Sequence, residues 1–303
     1  MSTRRAFALL LLAAVFYGGI FPVNRMAAEA GWPAMAFALV PAALAGVLLL
    51  GYCAVRGVSL SLTPRTLVAN LVIGGLVIGL PIGILVTAAQ HLPASTLTLV
   101  LCLSPILTLL ISAATGSEKF SYRVLGGMLL GTLGIALIVW PDSGVLPESG
   151  LGWFLLALIT PVMFATANNC AVWLRPPAAP AVTMAAGTLL GGALVAATAA
   201  LVIGAPFWPA ATGPAQQVPL LLSMLINAVF FVLFFHLVAA IGPARFSIFN
   251  YLAVAAGIVW SMAVFGETPV PVFWLAAGLM LLGMHLALKR NTSKRSNVWE
   301  GQG

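Results

Sequence analysis

Charge is the first thing this sequence lacks. Of 303 residues only 6% are Asp, Glu, Lys or Arg, and 6 acids stand against 13 bases. A soluble domain carries roughly 25% charge, so a water-soluble globule is excluded: there is too little charge to cover its surface. Disorder requires low hydrophobicity, and here the apolar set makes up 62% with a mean hydropathy of +1.12. The cysteines number 3 (Cys53, Cys102 and Cys170), all inside apolar runs, which reads as small buried hydrophobes and excludes a disulfide framework or a thiolate metal site. No Walker motif is present, so this chain does not hydrolyse ATP by itself. A membrane enzyme would need a nucleophile–base set, a metal cluster or paired acids. Neither Gly-x-Ser-x-Gly nor His-Glu-x-x-His occurs, and no acids are closely paired. No Asp or Glu lies at the middle of an apolar run, which speaks against a cation-binding pump. The charged or carbonyl rings of a channel are missing too. Nothing calls for a cofactor, a metal or a nucleic acid.

What is present is apolar length. About 20 apolar residues cross a bilayer once, and the charge-free gaps place helices near 6–28, 32–55, 66–91, 94–116, 122–141, 150–174, 180–204, 217–241, 244–266 and 270–289. The breaks inside the two longest gaps fall at His91-Leu92-Pro93 and in the Pro/Gly-rich run 204–214, where turn chemistry is concentrated. The expected fold is therefore an all-α polytopic membrane protein of ten transmembrane helices, one domain with both termini on one side. If that side is the cytoplasm, Arg4, Arg5, Arg56, Arg65, Lys119, Arg123, Arg175, Arg245, Lys289, Arg290, Lys294 and Arg295 all lie inside, and Arg25 alone of the bases lies outside. Glu29, Asp142, Glu148 and Glu267 lie outside, against Glu118 and Glu300 inside. The asymmetry is the positive-inside rule, so the net +7 is an orientation signal rather than a partner signal. Arg4-Arg5 and the apolar run after them resemble a signal peptide, but the run continues past Tyr17 with no Ala-x-Ala-like site, and it is read as the first helix. The polar segment 290–303 is expected to be a cytoplasmic tail.

The chain also repeats. His91-Leu92-Pro93-Ala94 corresponds to Ile241-Gly242-Pro243-Ala244, Gly116-Ser117-Glu118 to Gly266-Glu267, and Gly126 and Gly131 to Gly278 and Gly283. Repeat one is expected over about 6–141 and repeat two over about 149–289. Each holds five helices, and because five is odd the second copy enters the membrane from the opposite face: an inverted-topology repeat, as in many secondary transporters.

Taken with Phe16-Tyr17-Gly18-Gly19 leading to Phe21 and Arg25, these features resemble the drug/metabolite transporter superfamily in its EamA-type branch, over roughly 6–289. Two departures stand out. Gly116-Ser117-Glu118 is one residue longer than its partner motif, and the second half has no basic match to Arg25. The resemblance implies a central cavity between helices 1–4 and 6–9, with the fifth helix of each half peripheral. It implies a carrier of small metabolites in a bacterial-type inner membrane, exporting amino acids or related neutral or zwitterionic solutes by alternating access. A broad drug exporter or an exchanger is the rival within transport, and an unrecognised membrane enzyme the rival outside it. The implied partners are a small-molecule solute and the lipid bilayer, with room for a homodimer.

Candidate residues follow from depth. Tyr17, Phe164 and Asn227 lie near mid-membrane; Asn168, Asn169, Asn250 and Tyr251 lie in inner halves of helices. A buried amide needs partners, so each Asn is read either as a cavity contact or as inter-helix glue, and depth favours the cavity for Asn227. His236 is an intramembrane imidazole with no carboxylate nearby in sequence; it either switches a proton or snorkels near the helix end. Arg25 either meets an anionic solute group or pairs with Glu29 one turn on. Glycines at four-residue spacing (Gly75, Gly79 and Gly83; Gly127 and Gly131; Gly187 and Gly191) let helices approach closely, as static seams or as sliding surfaces. Pro22, Pro41, Pro81, Pro105 and Pro161 are expected to kink their helices.

Overall fold

The computed structural model describes residues 3–59, 63–116, 122–140, 143–174, 179–241 and 248–288. Every regular element among them is helical: α1 (Thr3–Gly18), α2 (Ile20–Glu29), α3 (Ala34–Val55), α4 (Pro64–Gly74), a π-helical turn (Gly75–Gly79), α5 (Leu80–Ala88), α6 (Ala94–Val100), α7 (Leu103–Ala114), α8 (Tyr122–Val139), α9 (Leu151–Ala157), α10 (Ile159–Leu174), α11 (Ala181–Val202), α12 (Pro214–Ile241), α13 (Ile248–Phe265) and α14 (Pro271–Leu288).

Four of the expected helices are thus broken, and proline is the cause. A proline lacks its N–H and its ring clashes with the carbonyl four residues back. The α1–α2 break at Gly19 stands three residues before Pro22, and the α9–α10 break at Leu158 stands three before Pro161. Leu101–Cys102, between α6 and α7, precedes Pro105; the π turn precedes Pro81. Two of the freed carbonyls find other partners, as a bilayer demands. Thr160 Oγ1 donates to Ala157 O (2.8 Å), the carbonyl that Pro161 leaves open, and Ser104 N donates to Leu101 O (3.0 Å) ahead of Pro105. Pro41 and Pro219 are exceptions, sitting inside the unbroken α3 and α12.

Seven helical columns are long and apolar enough to cross a membrane: Ala8–Glu29, Ala34–Val55, Pro64–Ala88, Ala94–Ala114, Leu151–Ala171, Ala181–Val202 and Pro214–Leu237. Shorter apolar helices lie at Leu125–Ile138, Leu252–Phe265 and Pro271–Leu286. The interior is rich in Ala, Gly and Thr, whereas Leu12, Val47, Leu129, Val202, Val259 and Leu282 are exposed on the outside. That inside-out distribution is expected of a chain whose solvent is lipid, because lipid tails give helices no hydrophobic reason to associate and close packing must do so instead. The chain is a multi-pass membrane protein.

The tightest seam joins α4, the π turn and α5 to α11. A Cβ on Gly74 would strike Thr188 O and Gly192 N, one on Gly79 would lie 2.7 Å from Gly192 O, and one on Gly191 would strike Asn70 O. Gly83 instead accommodates Met35. The most extensive contact is between α8 and α14, which otherwise pack on α7. Gly283 there lies against Gly127, and Gly134 against Met280. Gly278, the repeat counterpart of Gly126 in the sequence, is exposed with nothing within 4 Å of an added Cβ.

One end of the bundle collects the α2–α3, α5–α6, α8–α9, α11–α12 and α13–α14 connections. Trp32 Nε1 donates to Gln216 O (3.0 Å) and Gln216 Nε2 to Ala30 O (2.9 Å). A Cβ on Gly144 would touch Val270, and one on Gly150 would touch Leu92. Trp140, Trp208 and Trp274 are exposed around this end, as an interfacial aromatic belt would be. At the opposite end Arg65 Nη2 donates to Trp173 O (3.1 Å), tying α4 to α10. Glu118, Asp142, Pro243 and the tail 290–303, all used in the sequence argument, lie outside the described residues.

Candidate functional site

Arg25 is the hub of the first end. Its Nε donates to Glu29 Oε1 (2.8 Å), one turn along α2, and its Nη1 to Glu267 Oε1 (2.6 Å), in the loop between α13 and α14. The guanidinium also lies over the Phe265 ring, 4.1 Å from its centroid, a favourable placement for a cation. Glu267 has a second task. Its carboxylate accepts from Ala94 N (2.9 Å) and Ser95 N (3.1 Å), the first amides of α6. Pro93 sets the entry to that helix with an extended backbone and offers no side-chain cap, so a carboxylate from elsewhere fills the role. One glutamate therefore joins α2, the α13–α14 loop and α6.

With one cation and two carboxylates the cluster is net negative, which disfavours an anion there. Two clefts flank it. One of about 380 Å³ is lined by Arg25, Glu29, Gln90, His91 and Pro93; one of about 160 Å³ by Ser95, Thr96, Glu267, Thr268 and Phe273. His91 is stacked on Trp153, with centroids 4.0 Å apart and planes 7° apart. In the sequence Glu267 reads as a helix-end mark and an external acid, not as a partner of Arg25. The signal for more was there: it is an acid brought by the repeat motif to the level of the Pro93-Ala94 helix start.

Deeper in the bundle, Tyr17 is stacked on Phe230 (3.9 Å) and tilted against Phe249 (5.8 Å), so α1, α12 and α13 share an aromatic cluster. Asn227 is buried, and its Nδ2 donates to Ser223 Oγ (3.2 Å) one turn back on α12. Phe164 is half-buried on α10. Asn169 spans two helices: Nδ2 donates to Ala165 O (2.9 Å) and Thr108 O (3.2 Å), and Oδ1 accepts from Ser112 Oγ (2.7 Å). Asn168, exposed, donates to Thr108 Oγ1 (3.2 Å). The pair thus ties α10 to α7. Asn250 and Tyr251 lie on α13, their side chains outside the described ones. His236 is exposed on α12, in line with exposed Val218, Leu222, Leu225 and Val229. That three-to-four-residue stripe is the lipid face of the helix, so the imidazole points away from the bundle.

Asn24 went unremarked on sequence. It lies on α2 beside the hub, is 2% exposed, and its Oδ1 has no hydrogen-bond partner among the described residues.

Comparison with known proteins adds two findings. Residues 4–140 match the EamA-like transporter family. A solved crystal structure, described only as that of a protein, superposes with a TM-score of 0.62 at 20% identity over 94% of this chain and 97% of that one; it establishes a shared fold. A search of curated proteins gave no match.

Proposed function

We propose, from the match of residues 4–140 to the EamA-like transporter family, that the chain is a ten-crossing carrier of the drug/metabolite transporter type. It moves small neutral or zwitterionic metabolites, amino acids or their relatives, outward across a cell inner membrane by alternating access, with both termini in the cytoplasm. The observation that carries this reading is the way the halves interlock. Exchange each of the first five helical columns with its counterpart five columns on, and the contacts map onto one another. The α1–α13 packing becomes α10–α7, α3–α12 becomes α11–α4, and α3–α11 and α8–α14 each map onto themselves. Two halves that interdigitate in this way rock against each other around a central path, the geometry of inverted-repeat carriers. The Arg25–Glu267 pair closes one end of the path, and the aromatic cluster around Tyr17 lines it with apolar surface suited to solutes without net charge.

Counterflow in proteoliposomes tests the carrier directly. Vesicles preloaded with a pool of the twenty L-amino acids are expected to accumulate labelled members of that pool above empty vesicles. Absence of counterflow with that pool and with a pooled panel of other metabolites, from folded protein, sinks the reading.

A further inference from the structure

We infer that Asn24 is a specificity-determining residue that accepts a hydrogen bond from the ammonium group of the transported solute, an inference that rests on the carrier reading above. A buried polar atom without a partner costs about 1–3 kcal/mol, and such atoms in native folds call for an explanation. Among the described residues Asn24 Oδ1 is one, on a helix whose Val23, Ala27 and Ala28 are buried too. Its place in the bundle supplies the explanation. The Trp32–Gln216 and Gln216–Ala30 bonds register the end of α2 against the start of α12, and Gly19 lies against Ile226 further in. Antiparallel helices rising about 1.5 Å per residue then put Asn24 level with Ser223, one turn before Asn227. Both are buried and polar.

Asn24 is also the residue next to Arg25, at the inner side of the pair that closes the path. Glu29 and Glu267 leave that region net negative, which disfavours a solute of net negative charge and favours an ammonium. Pro22, two residues back, has no N–H to give Gly18 O, and α1 and α2 part at Gly19. The short α2 carrying Asn24 is thus a separate piece from α1. The ligand class is a small solute with an ammonium donor beside an apolar body. The orphan acceptor receives the donor, and the aromatic cluster one to two turns deeper receives the body.

The test uses the full chain in detergent and compares phenethylamine and L-phenylalanine, which carry the ammonium, with 3-phenylpropionate, which does not. Millimolar phenethylamine and L-phenylalanine are expected to raise the melting temperature, and 3-phenylpropionate is not. Asn24→Leu is expected to melt no lower than wild type, since it removes an unpaired polar group, and to weaken the ammonium-dependent shift about tenfold in ligand concentration. The isosteric Asn24→Asp, which keeps the shape and adds charge, is expected to tighten it. The inference is overturned if neither ammonium compound stabilises wild type, if Asn24→Asp binds them no better, or if Asn24→Leu melts lower while keeping the shift. Ammonium-dependent stabilisation without counterflow in vesicles would sink the carrier reading while leaving Asn24 as a binding residue.

Discussion

Removing the Glu267 carboxylate strands three groups at once: Arg25 Nη1 and the amides of Ala94 and Ser95. The side chain is only 10% exposed, so water replaces it poorly, and loss of a partly buried, charge-assisted network of this kind costs about 1.5–3 kcal/mol. Glu267→Ala is expected to lower the melting temperature by several degrees. Glu267→Gln keeps one accepting oxygen but sets its NH2 against a donor on the other side and loses the ion pair, and is expected to melt between wild type and Glu267→Ala while loosening the closed end. A cysteine introduced at the buried Ser95 should then react faster with a membrane-impermeant maleimide in the Glu267→Gln background. Equal labelling rates in the two backgrounds would mean that the ion pair does not hold the end shut. Sequence could read the Arg25–Glu29 spacing, because i,i+4 is local. It could not see that Glu267, distant along the chain, shares the same guanidinium. Nor could it see that His236, polar and intramembrane, continues the stripe of Val218, Leu222, Leu225 and Val229 on the outer face.

At the scale of elements, the local signals were of unequal reach. The Pro and Gly punctuation marked most helix ends within a few residues, and the glycine spacing in the third and seventh helices marked surfaces that need close approach. Which helices those glycines bring together depends on the fold: Gly74 and Gly79 meet Gly192, and Gly191 meets Asn70, across α11. Four of the five prolines read as kinks interrupt their helices, all but Pro41, and the interruption stands two or three residues ahead of the ring, because the lost bond and the clash lie on the preceding turn. The seam gives a sharp contrast. Gly74→Ala presses a methyl into Thr188 O and Gly192 N, backbone atoms that cannot rotate away. Overpacking of this kind costs about 1–3 kcal/mol, and Gly74→Ala is expected to lower the melting temperature and the yield of folded protein. Gly278→Ala, with nothing within 4 Å, is expected to be neutral or slightly stabilising, since glycine in a helix is inferior to alanine by roughly 0.8–1.0 kcal/mol. Similar melts for the two variants would mean that the α4–α11 approach is looser than its geometry.

For the whole molecule the open question is the number of crossings, since seven columns are long and apolar enough and three helices are shorter. The α8 segment decides it. If Tyr122–Val139 crosses, the loop after it lies on the side of Glu267; if it does not, that loop stays on the side of Gly116. Two arguments favour crossing. An 18-residue helix spans about 27 Å at 1.5 Å per residue, close to the ~30 Å hydrocarbon thickness. And the loop after α8 touches the Glu267 end, through Gly144 on Val270 and Gly150 on Leu92, whereas Arg56 and Arg65 flank the α3–α4 connection at the opposite end. Alkaline phosphatase fused after Leu146, Pro209 or Thr268 should therefore be active, exported to the periplasmic side, and fused after Val58 or Gly116 inactive. Inactive fusions at Leu146, Pro209 and Thr268 alike would remove α8 as a crossing, since two apolar helical columns separate each of these positions from the next. The number of crossings between the halves would then be even, both halves would enter from the same face, and the interlocking contacts would have to be explained without inversion.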